Sequence, residues 1–383
     1  MAAIDWNLIS IIMFYSLLAL FFYIKRKKVE TQFKVFFLYK TKKFNNLMIK
    51  IANCCPRFWR GFGYVAILAG FVAMGGVIYL LAKSLISMFL VKNAPAAVSL
   101  VIPGVHISGI TADIPFWYGI IALFIVIMVH EGAHGIVCAA HKLKIKSSGV
   151  GLMLLLPMAF VEPDERQLFK QKLSTQLSVF AAGTFSNIVT AGIVFLLMMG
   201  IGITASGMIS PLSGVYFNKV VEGKPAALAG LQHGDVITAV DGILVNATDF
   251  EKYMLSVPAG KTVSLQTADK TYEVKTIPNP ANATRAYVGI DFRQNFKTKF
   301  GGLPIGLLKL YEFFYWVFAL NIGIGIINML PLGPIDGGRM IKVLLDSKMK
   351  KKKTALKIFA MVTYVSLSLL LLNIIVSMVK AVI

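Results

Sequence analysis

Apolar residues in this chain fill long unbroken windows, without the two-residue or 3.6-residue recurrence of half-buried strands and helices. Six windows stand out, at 7–24, 64–91, 116–141, 174–203, 304–330 and 357–379. About 20 apolar residues coiled as a helix cross a ~30 Å hydrocarbon core, so each window predicts a membrane-spanning helix. The first window has no small-residue cleavage site and runs into Lys25-Arg26-Lys27-Lys28, which predicts a retained anchor. Over 206–296 the windows give way to short apolar runs separated by turn dipeptides, the pattern of a small, mainly β domain. The expected division is an anchor and basic segment over 1–60, a membrane domain over 61–205, the inserted domain over 206–296 and a second membrane part over 297–383.

Composition strengthens the membrane reading. Of 383 residues, 57% are hydrophobic and 15% charged, with a mean hydropathy of +0.72. Soluble domains carry about 25% charged residues. The formal charge of +21 raises the question of nucleic acid, and its distribution answers it. Residues 25–60 hold eleven Lys/Arg and one acid, Glu30, whereas 93–115 hold no Lys or Arg. Lys348 and Lys350 to Lys353 form a second basic block before the last window. Basic clusters hugging membrane spans mark the cytosolic side and attract anionic lipid. The expected topology puts the N-terminus, 93–115 and 206–296 outside, with 25–60, 142–172 and 339–356 inside. The expected partners are therefore the lipid bilayer and proteins within it, not nucleic acid. The three cysteines, Cys54, Cys55 and Cys138, fall on cytosolic or intramembrane segments and do not indicate disulfides.

The inserted domain is electrically neutral, with eight basic and eight acidic residues over 206–296. The run Gly223-Lys224-Pro225-Ala226-Ala227-Leu228-Ala229-Gly230-Leu231 predicts a short helix with a proline start and a glycine stop. Gly234-Asp235-Val236-Ile237 and then Val240-Asp241-Gly242 predict an apolar strand followed by an Asp-Gly hairpin. This order resembles a bacterial-type PDZ domain, a fold that accepts extended peptides by strand addition. Asn246-Ala-Thr and Asn282-Ala-Thr are glycosylation-type triplets that agree with an external location.

The third window carries Val129-His130-Glu131-Gly132-Ala133-His134-Gly135. His-Glu-x-x-His on a helix sets two imidazoles one turn apart on one face, where both reach a single metal ion. The carboxylate beside them, Glu131, is placed to take a proton from a water at that metal. The preceding run from Ile120 to Val129 is wholly apolar, and polar groups at that depth are costly unless they bind something. A catalytic zinc takes three protein ligands. His106, His141 and His233 lie in connecting regions or in the inserted domain, so the third ligand is sought among carboxylates. The fifth window ends in Asn328-Met329-Leu330-Pro331-Leu332-Gly333-Pro334-Ile335-Asp336-Gly337-Gly338-Arg339, a helix-breaking run at membrane depth that must line a cavity or lie inside protein. Asp336 is the candidate third ligand; Glu162, Asp164 and Glu165 are its rivals. Cys138, one turn past His134, is expected to pack.

Together, His130-Glu131-x-x-His134, Asn328-x-x-Pro331 and Asp336-Gly337 resemble the site-2 protease family of intramembrane zinc metalloproteases, in its archaeal and eukaryotic branch. Gly149 to Glu165 resembles the membrane-associated hairpin that follows the metal helix. Ala182-Gly183-Thr184-Phe185-Ser186-Asn187 resembles the family's A-G-P-x-x-N, with Thr184 in the place of proline. The resemblance implies a polytopic α-helical membrane protein of about six spans carrying a PDZ-like insert. It also implies one Zn2+ per chain and cleavage of transmembrane segments of membrane-anchored proteins, pre-trimmed by another protease. It assigns Asn187 and Asn328 to holding the substrate strand or stabilising the oxyanion; interhelical hydrogen bonding is the other reading of both. The location implied is the prokaryotic plasma membrane, with the metal nearer the cytosolic side. A non-catalytic PDZ-bearing scaffold would have no use for Glu131. A metal transporter should show inverted repeats, and these are not apparent.

Overall fold

The computed structural model describes residues 6–26, 29–32, 36–91, 98–105, 107, 111–153, 156–279, 282–298 and 300–382. Lys27, Lys28, His106 and part of the 93–115 loop lie outside the described residues. In chain order the elements are α1 (Trp6–Ile24), β1 (Val29–Gln32), β2 (Phe36–Thr41), α2 (Lys43–Cys54), α3 (Pro56–Leu90) and α4 (Phe116–Ala140). Next come β3 (Ile145–Met153), β4 (Leu156–Pro163), α5 (Glu165–Leu168) and α6 (Leu173–Gly207). The inserted region contains β5 (Ile209–Val220), α7 (Pro225–Leu228), β6 (Val236–Ile237), β7 (Ala239–Val240), β8 (Ile243–Leu244) and α8 (Ala247–Ser256). It continues through β9 (Thr262–Gln266), β10 (Thr271–Lys275), β11 (Ile277–Asn279), β12 (Asn282–Tyr287) and β13 (Ile290–Thr298). The chain closes with α9 (Leu303–Ile327), α10 (Asp336–Lys348) and α11 (Lys352–Val382).

Among the described residues, five helices, α3, α4, α6, α9 and α11, are long and apolar enough to cross a membrane. The first window forms a shorter apolar helix, Leu8–Ile24. Helix α3 begins at Pro56, well before the window at 64, because proline at the first helical position extends it through Arg57 and Arg60. The chain divides into two compact units, Met1–Met198 with Glu312–Ile383, and Met199–Tyr311.

In the first unit, close helix packing comes from small residues. Gly63, Ala66, Gly70 and Ala73 form one buried stripe of α3. Gly63 meets Val137 of α4 and Ser178 of α6, and Gly70 meets Ala181 of α6. Small side chains let helix backbones approach where lipid offers no hydrophobic drive for association. The opposite faces are large and apolar: Leu68 of α3, Leu196 of α6 and Tyr364 of α11 are each 66–70% exposed, as lipid-facing residues must be. The basic 25–60 segment is more than a run of charge. It supplies β1, β2 and α2, and its strands extend the β3–β4 hairpin into one sheet of order β1-β2-β3-β4. Helix α2 is amphipathic and buries Asn45, Met48 and Ala52.

The second unit has a small, dry core. Val215, Phe217, Ile237, Phe250, Val263 and Leu265 are all essentially inaccessible. Its sheets run β10-β9-β7-β8 and β13-β5-β6. Asp241 and Gly242 make the two-residue β7–β8 turn with φ of 48° and 78°, the left-handed pair that an Asp-Gly hairpin requires. The Asn246 side chain is committed to capping α8, accepting from the Asp249 N–H at 2.9 Å.

Candidate active site

Helix α4 carries His130 and His134 on one buried face, and the first residue of α10, Asp336, meets both. Asp336 Oδ2 lies 3.0 Å from His130 Nε2 and 3.1 Å from His134 Nε2. The three ligand atoms fall within 4.8 Å of one another and form a group able to hold a metal ion. Ligands about 2.0–2.1 Å from a tetrahedral zinc sit about 3.3 Å apart, close to the separation of Asp336 Oδ2 from each imidazole. Asp336 is held there by backbone. The Gly337 N–H donates to the Asn328 carbonyl at 2.9 Å, folding the Pro331–Pro334 turn back under α10. A side chain at Gly337 or Gly338 would strike the carbonyls of Met329 or Leu332, which explains the paired glycines.

The ligand tautomers follow from what lies behind the rings. His134 Nδ1 is 2.6 Å from the Val179 carbonyl, which can only accept, so Nδ1 carries the proton and Nε2 offers a lone pair. His130 Nδ1 faces the Asn187 side-chain amide at 3.1 Å. Asn187 is completely buried, and its Oδ1 has no hydrogen-bond partner. Amide oxygen and nitrogen are assigned from the hydrogen-bond network. Turning this amide over gives the orphaned oxygen the His130 Nδ1–H and frees Nε2 to ligate, so the donor set fits a metal.

Gly183, on α6, sits directly over the two imidazoles. A methyl group there would collide with both Nε2 atoms, so only glycine leaves room in front of the two imidazoles. Thr184, in the proline position of the resembled motif, stays helical and donates its hydroxyl to the Gly325 carbonyl of α9 at 3.0 Å, tying α6 to α9 behind the site.

Glu131 stands on the same turn of α4, and its Oε2 accepts the Val161 N–H of β4 at 2.9 Å. Asn328 Nδ2 approaches His130 Nε2 at 3.5 Å from the open side. His130, Glu131, His134, Asn328, Asp336 and Arg339 share a cleft of about 260 Å³, while Asn187 lies outside its lining. Asn187 thus meets the Nδ1 side of His130 and Asn328 its Nε2 side. The rival carboxylates are not in the metal group: Glu162 accepts the Ser147 hydroxyl at 2.7 Å, Asp164 caps α5, and Glu165 is the first residue of that helix. Cys138 is buried, with its thiol directed at the Leu143 carbonyl. Of the other histidines, His141 meets Ser178 and His233 meets the Asn218 carbonyl, both away from the metal group. Gly183 and Val161 lie within the motifs, but neither has a side chain whose chemistry points to the site. For Gly183 the only signal was its place in the A-G-x-x-x-N run.

Comparison with known proteins settles the family. The family model for peptidase family M50 matches residues 118–373. The chain belongs to peptidase family M50. As in the rest of this family the membrane part is multi-pass, and the match begins in α4 and ends in α11. An uncharacterised protein of Methanocaldococcus jannaschii is 31% identical over 231 residues, which cover 58% of this chain and 56% of that protein. The zinc metalloprotease RasP of Shouchella clausii is 24% identical over 233 residues, 47% of this chain and 53% of its own length. The chain thus spans about half the length of these relatives. The PDZ domain of an SdrC-like protein from Listeria innocua aligns at 31% identity with 21% of this chain and 96% of that domain, at a TM-score of 0.19.

Proposed function

We propose that this M50 member is a zinc endopeptidase that cuts transmembrane segments of membrane-anchored proteins. The observation that carries the reading is the convergence of His130 and His134, beside Glu131 on the apolar helix α4, with Asp336 at the start of α10. His130, His134 and Asp336 would hold the ion. Zinc there supplies a Lewis acid for the peptide carbonyl and acidifies a water. Glu131 takes the water proton and passes it to the leaving amine, so it must reach both. Asn328, on the open side of His130, is placed to donate to the oxyanion. Asn187 holds His130 in the ligating tautomer as a positioning residue.

A helical substrate shields its carbonyls and must unwind. Strand β4 is the edge of its sheet and supports a way to do so. The Val161 N–H points away from β3, to Glu131, and alternate residues of an antiparallel strand point the same way. The Ala159 N–H and carbonyl therefore also face outward, ready to pair with an unwound segment. The PDZ-like unit, read as external, acts as a filter that admits substrates already trimmed outside. The basic segments orient the chain with the metal nearer the cytosol of a prokaryotic plasma membrane.

Glu131→Gln tests the assignment. It should keep stoichiometric zinc, because every ligand survives, and lose at least about 100-fold in cleavage of a model transmembrane substrate. Wild-type cleavage by the variant would remove Glu131 from the mechanism. Deleting 208–295 should leave zinc bound and allow untrimmed substrates to be cut. Unchanged discrimination would place the filter elsewhere.

A further inference from the structure

A second cavity adjoins the metal cleft and shares Glu131, Phe160 and Val161 with it. It holds about 370 Å³, and its wall is almost wholly apolar: Leu47 and Met48 of α2, Trp59 and Phe62 of α3, and Ile136 of α4. Gly132 of α4 opens onto it, since a Cβ there would meet nothing within 4 Å. The glycine that follows the base in sequence thus leaves room where a side chain would occupy the cavity mouth.

We propose that this cavity receives the side chain of the substrate residue on the amine side of the scissile bond, and that it selects a large apolar one. The inference rests on the proteolytic reading above. Three observations commit the cavity to that occupant. Hydrolysis joins the water oxygen to the carbonyl carbon, breaks the C–N bond and moves one water proton by way of Glu131 to the departing nitrogen. That nitrogen must therefore lie within hydrogen-bond reach of Glu131; Glu131 separates the cleft that holds His130, His134 and Asp336 from this cavity, which opens beyond the base, where the departing amine is directed. The cavity is also lined by Ala159, whose backbone faces the outer edge of β4. A segment paired along that edge sends alternate side chains to one face, and the residue next to the cut meets the cavity mouth. Finally, size fits chemistry. A cavity of about 150 Å³ already accepts benzene, so 370 Å³ takes a leucine or phenylalanine side chain. Glu131 is the one ionisable side chain in this wall, so an acidic residue would find no counter-charge there and would be rejected by desolvation.

Leu47 is 53% exposed, and it lines the cavity from α2. Leu47→Trp therefore narrows the cavity without disturbing the core, and Gly132→Leu narrows it from the side of the base. The test uses the full chain with its zinc and one transmembrane substrate. The residue after the cut is set to Gly, Ala, Leu, Phe or Asp, and zinc content is measured in parallel. Wild type should cut the Leu and Phe substrates at least about tenfold faster, by kcat/KM, than the Gly substrate, and the Asp substrate slowest. Leu47→Trp and Gly132→Leu should keep full zinc and lower the Phe-to-Ala ratio at least about tenfold. An unchanged ratio with Leu47→Trp, alongside normal zinc and normal cutting, overturns the proposal and leaves the cavity to a lipid chain. A wild type that binds zinc and cuts none of the five overturns the proteolytic reading instead.

Discussion

The two compact units are stabilised in opposite ways. In the Met199–Tyr311 unit the buried cluster is made of Val, Leu, Ile, Phe and Ala, and Thr276 is its one buried polar side chain among the described residues. Charged groups lie outside, as in any water-soluble domain. The other unit exposes its large apolar residues and buries His130, His134, Asn187, Asn321, Asp336 and Asn373. Polar groups in an apolar span are costly, and they persist where they pair, ligate or relay. Asn373 illustrates a purely structural role, its amide donating to the Leu81 carbonyl at 3.0 Å and the Leu369 carbonyl at 2.9 Å. The cluster around His130 has a different character, because its donors point inward to one place rather than across to a neighbouring helix. Buried polarity therefore marks function only where it converges.

The contrast breaks most sharply at Gly183. Gly183→Ala should remove zinc from the protein and abolish cleavage, since the methyl takes the ion's space, while thermal unfolding of the Met199–Tyr311 unit stays unchanged. Metal analysis of the purified variant checks this, and stoichiometric zinc would refute the placement of the site. A smaller loss follows from Asn187→Leu, which keeps the volume but removes the partner of His130 Nδ1. Zinc affinity, read by chelator competition, should weaken about 10–100-fold. Asn187→Asp, which keeps an acceptor on the imidazole, should recover most of it. Equal affinities for wild type and Asn187→Leu would return Asn187 to plain helix packing.

The complementary perturbation lies in the other unit. Leu265 is fully buried on β9, and Leu265→Ala should destabilise that unit by about 2–5 kcal/mol while leaving zinc content unaltered. The smallest effect concerns Asp241. Its carboxylate accepts the Ser264 N–H at 2.7 Å and then the Tyr253 hydroxyl, and these hold it below the usual carboxylate range. A depressed folded pKa gives stability that is present above the unfolded value, near pH 4, and is lost as pH falls through the folded one. Asp241→Asn should flatten that acid limb in pH-dependent unfolding of the unit, by less than about 1 kcal/mol for so exposed a group. An unchanged limb would assign the acid sensitivity to another carboxylate.

Much of this was legible in the sequence because the membrane makes its own signals coarse. Span length, His-Glu-x-x-His and the broken helix before Asp336 are each set by one strong constraint. The Asp241-Gly242 turn was readable because few residues take that backbone shape. What stayed hidden depends on proximity between distant segments. Nothing in Phe36–Thr41 marks it as the partner of β3, or in Val29–Gln32 as the partner of β2, because short strands with basic neighbours have no period to follow. The location of Asn187 behind His130, and not in front of it, is fixed by how α6 crosses α4. Gly183 carries no side chain whose chemistry could announce it.

The central claim is that His130, His134 and Asp336 hold a zinc ion that works with Glu131 on a peptide bond inside an apolar segment. The most direct measurement is mass spectrometry of both fragments of a transmembrane substrate cut in 18O-labelled water, with zinc quantified in the same protein. The account predicts about one zinc per chain, a cut within the apolar segment, and one 18O at the new carboxyl terminus that disappears in Glu131→Gln. Cuts confined to the polar flanks, or unaltered cutting after Asp336→Ala with zinc removed, would contradict it.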